Sequence, residues 1–414
     1  MKTSQRVSLN LQHHTKTELP LTLFEQVVRP NRKDLKPVLI FASILAILVY
    51  GMIAAMLGTI LPDLSERFKL TPSQNGTIAT AQALGLMIAS LAVGPLLDTE
   101  GDKIGLILGL VFIAVSLFAL PRAGGYGSIV FLMFLLGVGG GIVVTGANAL
   151  ANSAAGAHGA TVLNLVNLFF GLGGLMTPFI SANVFDRNWV RLCYTIAGLT
   201  IVTIGVQAAT AMPGPTPGSG FVLTHAGPIL GRPLLFLLGS LLFLYVSCEV
   251  GVWNWLARHL IAQGIPESRA LNILSLGFAL GLLLGRVAVS PILIHISPLR
   301  VLLAASVAMA ITTYLMLQTN SASGAGLLVF IAGLAMAPVF PTTLAIAGAS
   351  FPSLPGTAIG FVITCGWAGL AVSSRIIGAI AGGDPLRLRK ALLLIPAESV
   401  LMVGLIFAIR AAVR

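Results

Sequence analysis

Long apolar stretches separated by short polar breaks run along almost the whole chain. A helix needs about 20 mostly apolar residues to cross a bilayer. The first stretch, near Val38, exceeds the roughly 7–15 apolar residues of a signal-peptide core, so it predicts a span and not a cleaved leader. The pattern predicts twelve spans, at 37–61, 75–97, 104–121, 127–151, 159–184, 191–212, 233–262, 267–293, 299–318, 324–349, 355–381 and 388–410.

The stretch PGPTPGSGFVLTHAGP, from Pro213 to Pro228, separates the spans into two sets of six. Its prolines and glycines interrupt helices and are typical of a linker. The sequence therefore predicts four regions. They are a cytoplasmic basic tail at 1–36, a six-helix bundle at 37–212, a cytoplasmic linker at 213–232 and a second six-helix bundle at 233–414.

The two sets of spans resemble each other. Residues 85–109 parallel residues 281–305, and residues 160–180 parallel residues 357–377. Because helices of this length satisfy their own backbone in lipid, we expect an all-α membrane protein. A six-span unit repeated in parallel, with a binding site at the interface, is an established plan for transporters.

Composition excludes a soluble protein. The chain is 56% hydrophobic and only 9% charged, whereas soluble domains carry about 25% charged residues. The net charge of +11 is concentrated at the start, which suits anionic lipid headgroups better than nucleic acid. The basic residues before the first span place both termini in the cytoplasm of a multi-pass plasma-membrane protein (the inner membrane in a bacterium), although 387–390 falls on the opposite side. These residues are Lys2, Arg6, Lys16, Arg29, Arg32, Lys33 and Lys36.

Enzymatic chemistry finds no support in the sequence. The cysteines Cys193, Cys248 and Cys365 lie far apart in apolar segments, without metal-ligand spacing. The glycine runs follow no strand and carry no phosphate-binding element. We therefore expect no enzyme, cofactor or metal. The expected partners are a small-molecule solute, protons and membrane lipids, and the expected state is a monomer.

The loop GPLLDTEGDKIG, Gly94–Gly105, resembles the signature loop of the major facilitator superfamily. Thr99 and Asp102 replace two basic residues of that pattern. The resemblance implies the major facilitator fold and a latch, which we define as a contact made in one conformational state and released in the other. The residues expected to form the latch near the cytoplasmic helix ends are Asp98, Lys103 and, in the second copy of the loop, Arg286.

Four further segments resemble the fucose/glucose–galactose:proton symporter family. They are GVGGGIVVTGAN at 137–148, VLNLVNLFFGLGGLMTP at 162–178, FLYVSCEVGVWNWL at 243–256 and GLAMAPVFPTTLA at 333–345. The resemblance implies proton-coupled transport of a hexose-like sugar by alternating access. The two coupling acids of the family align with Gly58 and Val144, which cannot bind a proton. We therefore expect any proton coupling to use Glu249.

Glu249 lies halfway along the seventh span, where a charged group is costly unless it faces the bundle interior or water. We expect it to bind the transported proton or the hydroxyls of the substrate. The alternative is a static salt bridge or hydrogen bond within the second bundle. Arg375, in the eleventh span, is expected to take part in proton coupling with Glu249, because proton binding to the acid would release the arginine. It has three candidate partners, which are Glu249, Glu398 and an anionic substrate.

The remaining candidate substrate-binding residues are Asn148, Asn164, Asn167, Trp253 and Asn254. Asn164 and Asn167 share one face of the fifth span, and an aromatic plane beside amides suits a sugar ring. For the asparagines, the alternative is hydrogen bonding between helices, worth about 0.6 kcal/mol. For Trp253, the alternative is packing or a place in the interfacial aromatic belt.

The leading hypothesis is thus a secondary active transporter of a hexose-like sugar. A second hypothesis keeps the fold and exchanges the cargo for an amphipathic or anionic solute, such as a drug, lipid or organic acid. A third is a receptor of the same fold that transports nothing.

Overall fold

A computed structural model describes residues 36–212, 214, 231–319, 321–382 and 384–413. Over these residues the regular secondary structure is helical. The predicted tail at 1–36 and linker at 213–232 lie outside the described residues except at positions 36, 214, 231 and 232.

The first six helices are α1 (Pro37–Phe68), α2 (Pro72–Glu100), α3 (Asp102–Ala119), α4 (Tyr126–Ala155), α5 (Gly159–Asn183) and α6 (Trp189–Ala209). The next are α7 (Pro233–Ala262), α8 (Glu267–His295), α9 (Pro298–Gln318), α10 (Ala322–Ser350), α11 (Pro355–Ala381) and α12 (Pro385–Leu392 with Leu394–Val413). Helix α8 contains a π-helical segment, Ile273–Ala279, and α10 is broken between Met336 and Val339.

Among the described residues, 11 helical stretches are long and apolar enough to cross a membrane. One of them, Tyr126–Asn183, has 58 residues and comprises both α4 and α5. A 3-10 turn at Gly156–His158 separates these two helices. The protein is therefore an all-helical, multi-span membrane protein.

Local sequence explains where several helices begin and end. Thr71 and Gln74 form a capping box at the start of α2, in which each side chain accepts a hydrogen bond from the other residue's backbone amide. Gly101, with φ of 87°, adopts a left-handed conformation that ends α2 and allows α3 to begin at once. Proline occupies the first turn of α1, α2, α7, α9 and α11, where its missing N–H is not needed.

Helix packing repeats between α1–α6 (the N-terminal set) and α7–α12 (the C-terminal set). Helix α1 packs on α5, α2 on α4 and α3 on α6, and the equivalent pairs α7 with α11, α8 with α10 and α9 with α12 also pack. Glycines allow the close approach of corresponding pairs, because Gly51 abuts the backbone of Phe170 and Gly369 abuts the backbone of Phe243. The internal sequence similarity thus corresponds to a repeated packing arrangement.

The two sets meet through α2 with α11 and through α5 with α8, which are equivalent contacts under the repeat. A Cβ atom added to Gly94 would lie 2.5 Å from Cα of Thr357, so α2 and α11 approach closely where α2 ends and α11 begins. We call this side of the molecule the Asp98 end, and the opposite side, where α7 finishes, the Trp253 end.

Candidate functional site

Glu249 lies in the middle of α7 and faces the N-terminal set. Its side chain is partly buried, and its charge interacts electrostatically with Tyr50 of α1 and with Tyr245, one turn earlier in α7. In the described part of the chain, no arginine or lysine forms an ion pair with it. A partly buried carboxyl group that forms no ion pair among the described residues therefore borders the interface between the sets.

A gap between the sets widens toward the Trp253 end. Tyr245, Glu249 and Trp253 are spaced by four residues and so share one face of α7. Along this face the exposed fraction is 0% at Tyr245, intermediate at Glu249 and 38% at Trp253. Because Glu249 on this face interacts electrostatically with Tyr50 in the opposite set, we interpret the rising exposure as separation between the sets.

Helix α1 shows the matching gradient from the other side. Tyr50 is 3% exposed, whereas Ala54 and Gly58, one and two turns further along, are both exposed. An added Cβ at Gly58 would meet no atom within 4 Å. Tyr50 and Tyr245 are thus both buried, and the residues beyond them on α1 and α7 are exposed. We call the region bordered by Ala54, Gly58, Trp253 and Asn254 the vestibule.

The three predicted asparagines form a buried layer below the vestibule. Nδ2 of Asn167 donates to Oδ1 of Asn148 at 2.7 Å, which joins α5 to α4. Nδ2 of Asn164 donates to Oγ1 of Thr342 at 3.1 Å, which joins α5 to α10 across the two sets. The amides therefore make the interhelical hydrogen bonds named above as the alternative to sugar contact.

Arg286 lies in this buried layer, and its predicted location near the cytoplasmic helix ends is wrong. The side chain is 5% exposed and Nη1 donates to the main-chain carbonyl of Asn167 in the opposite set. An added Cβ at Gly171 would lie 4.0 Å from Nη1, so the absence of a side chain there leaves room for the guanidinium. The electrostatic interaction of Arg286 with Tyr245 connects it to the Glu249 region.

Two ion pairs considered for Arg375 do not occur among the described residues. Arg375 is exposed and pairs with neither Glu249 nor Glu398. Glu398 is instead buried between α12 and α7, where it accepts hydrogen bonds from Oγ of Ser247 at 2.6 Å and Sγ of Cys248 at 3.4 Å. A hydroxyl and a thiol thus satisfy this acid, which lies within the C-terminal set.

Asp98 contacts the other set at the opposite end of the molecule. Its Oδ1 accepts from the backbone N–H of Gly356 at 2.8 Å, and its Oδ2 accepts from the backbone N–H and the hydroxyl of Thr357 at 2.8 Å and 2.6 Å. These donors form the first turn of α11, where the helix dipole favours a negative charge. Lys103 does not cross between the sets, since Nζ donates to the carbonyl of Ala208 in the last turn of α6 and to that of Thr210, the residue after its end.

Two packed helix sets related by a repeat, closed at one end and parted at the other around polar groups, define a membrane transport protein. The sequence model of the Major Facilitator Superfamily matches residues 43–374. The chain belongs to that superfamily, as the loop at 94–105 indicated.

Curated relatives and solved structures agree with this assignment. The chain is 21% identical to the protein TsgA homolog of Erwinia tasmaniensis over 80% of this chain and 84% of the relative. It is 24% identical to the glucose/mannose transporter GlcP of Bacillus subtilis over 87% of this chain and 92% of the relative. The fold is shared with the E. coli fucose:proton symporter FucP, with a TM-score of 0.77, 16% identity and coverage of 89% of this chain and 98% of that one.

A second FucP structure, in the outward conformation, also has a TM-score of 0.77, with 17% identity and coverage of 91% and 99%. At these identities the likeness establishes the fold. Family and fold are those of transporters.

Proposed function

We propose that this protein is a secondary active transporter that moves a hexose-like sugar by alternating access, coupled to protons through Glu249. The observation that carries the proposal is the position of Glu249 at the floor of the vestibule, facing Tyr50 of the other helix set. An acid on one helix set that interacts with the other set changes its surroundings when the gap opens or closes, so its protonation can depend on the conformation. The matched sugar transporter GlcP and the shared FucP fold support the choice of solute class.

The proposed topology has twelve membrane crossings, with α4 and α5 crossing separately. The bundles correspond to 37–212 and 233–414, and both termini and the 213–232 linker lie in the cytoplasm together with the Asp98 end. The vestibule then opens to the outside of the plasma membrane, or of the inner membrane in a bacterium. The protein acts as a monomer in contact with membrane lipids.

In the proposed cycle, solute enters the vestibule past Trp253 and Asn254 and reaches Glu249. Closure at the Trp253 end requires the exposed faces of α1 and α7 to meet. This closure places Glu249 in an apolar contact, which costs less free energy when the acid is protonated than when it is charged. Opening at the Asp98 end requires Asp98 to leave Gly356 and Thr357. We propose that Asp98 is the latch and that Lys103 supports it by fixing α3 to the end of α6.

The buried asparagines have a second proposed role. Asn148, Asn164 and Asn167 already bond across helices, so solute contact with them requires one of those bonds to be exchanged. Such an exchange is nearly neutral in energy because one hydrogen bond replaces another. It would occur only when solute is present, which couples binding to movement of α5 against α4 and α10.

The test is uptake of a panel of labelled hexoses and related solutes into proteoliposomes at two pH values. We expect sugar uptake that is driven by an inward proton gradient and that loses its pH dependence in Glu249→Gln. Glu100→Gln, an exposed acid at the other end, serves as the matched control. Uptake and pH dependence that are unchanged in Glu249→Gln would remove this acid from the mechanism.

The panel also separates the other hypotheses. Uptake of amphipathic or non-sugar anions without sugar uptake would favour the second cargo class. Sugar binding, read as thermal stabilisation, without uptake of any solute would favour a receptor.

A further inference from the structure

Among the residues that the structure describes, Arg286 is a buried cation that no anion contacts. It is 5% exposed, and none of the described carboxylates forms an ion pair with it. Its one hydrogen bond goes to a neutral acceptor, the main-chain carbonyl of Asn167, and its Nε atom is buried without a partner among the described residues. A buried charge of this kind is costly unless an anion approaches it.

The part of the guanidinium that lacks partners defines what can bind. Nη1 donates to Asn167 and Nε has no partner among the described residues, so the edge formed by Nε and Nη2 is the one turned toward a ligand, and such an edge matches the two oxygens of a carboxylate. The hydroxyl of Tyr245, which interacts electrostatically with Arg286, supplies a further polar contact from α7. A phosphate dianion would exceed the single positive charge, whereas a monovalent carboxylate balances it.

Glu249 completes the charge balance. It acts on Tyr245 with the opposite sign to Arg286, and the remaining polar groups around them, Tyr50 and the asparagines, are neutral. When Glu249 is ionised, the layer carries no net charge. A bound carboxylate therefore adds one negative charge, which a proton on Glu249 cancels.

We infer that the transported solute is a sugar acid, a hexose-like molecule bearing one carboxylate, whose carboxylate binds Arg286 while the co-transported proton binds Glu249. This inference rests on the proposed function and narrows its substrate class. No covalent bond changes: one monoanion and one proton enter from the vestibule and leave together at the Asp98 end. The translocation step carries no net charge.

The experiment compares each sugar acid with its neutral parent, D-glucuronate with D-glucose and D-galacturonate with D-galactose. The full-length protein is reconstituted in proteoliposomes, and uptake is measured with a pH gradient and, separately, with a potassium-diffusion potential. We expect uptake of at least one acid to exceed that of its parent by about tenfold or more. We also expect this uptake to respond to the pH gradient and not to the membrane potential.

Variants test whether Arg286 causes the preference for the sugar acid. Arg286→Gln should abolish the preference for the acid while leaving weak uptake of the neutral parent, and Arg286→Lys should restore part of the preference. Arg300→Gln, which removes an exposed arginine near the start of α9, should change neither. The preference for the acid and the dependence of uptake on membrane potential are measured on the wild-type protein, so the inference remains testable if Arg286→Gln does not fold.

The possible outcomes are distinct. Neutral hexoses taken up as well as their acids, with Arg286→Gln affecting both equally, would overturn the sugar-acid inference and leave proton-coupled sugar transport intact. Uptake of the acid that is accelerated by an inside-negative potential would overturn the charge balance with Glu249. Failure of every sugar and sugar acid to bind or enter would overturn the proposed function and this inference together.

Discussion

Replacing Asp98 by asparagine should shift the protein away from the conformation with an open vestibule. The asparagine keeps one carbonyl oxygen to accept from α11, and its amide nitrogen cannot accept the two hydrogen bonds from Thr357. Hydrogen bonds to a charged group contribute about 1.5–3 kcal/mol each. Since Asp98 is 8% exposed, little solvent screening reduces that figure, and the loss of the two bonds is expected to cost about 3–6 kcal/mol. This corresponds to a roughly 100- to 20,000-fold change in the equilibrium between the two states.

The assay is labelling of a cysteine placed at Ala54, which is exposed in the vestibule, by a membrane-impermeant maleimide. Asp98→Asn should slow labelling at least severalfold, and Thr357→Val, which removes only the hydroxyl donor, should have a smaller effect. Glu100→Gln, at the end of the same helix, should label at the wild-type rate. Equal labelling rates in wild type and Asp98→Asn would show that these bonds do not hold the Asp98 end closed.

Three further changes test local parts of the structure. Gly51→Ala should destabilise the fold because its Cβ would collide with the backbone of Phe170, whereas Gly58→Ala should be tolerated since it faces open space, and thermal unfolding in detergent distinguishes them. Thr71→Ala should cost about 1 kcal/mol through loss of the α2 cap, with Thr71→Ser as the control, in the same unfolding assay. Arg375→Ala should leave the unfolding temperature within about a degree or two of wild type because the side chain is exposed and forms no ion pair among the described residues, and a larger loss would contradict this placement.

Much of the fold could be predicted from hydrophobic pattern alone. Span length, linker composition and internal similarity each depend on features that lie close together in sequence, and the superfamily loop at 94–105 identified the family. The span boundaries differ mainly at helix ends, where α1 continues to Phe68 beyond its predicted end at 61. Polar residues can extend a helix past the membrane, and a prediction based on apolar residues does not include them.

The site was harder to predict because its partners come from distant segments. Glu249 was identified because a charged group in an apolar segment costs free energy. Tyr245 could have been added because it lies four residues before Glu249, on the same helix face. Nothing local indicates that Tyr50, almost 200 residues earlier, faces the same acid. Arg286 was assigned by its place in a repeated loop pattern, yet its side chain extends into the interface between the sets.

The π-helical segment of α8 has a consequence for the facing of Arg286. A π turn contains one residue more than an α turn, and each residue of a helix corresponds to about 100° of rotation. If Ile273–Ala279 became an ordinary α-helix with the same number of residues, the guanidinium would therefore turn by about a quarter-turn around the α8 axis. Deleting one residue at the same time would restore its direction, so a related chain that is one residue shorter here can present the same surface to the solute with an ordinary helix.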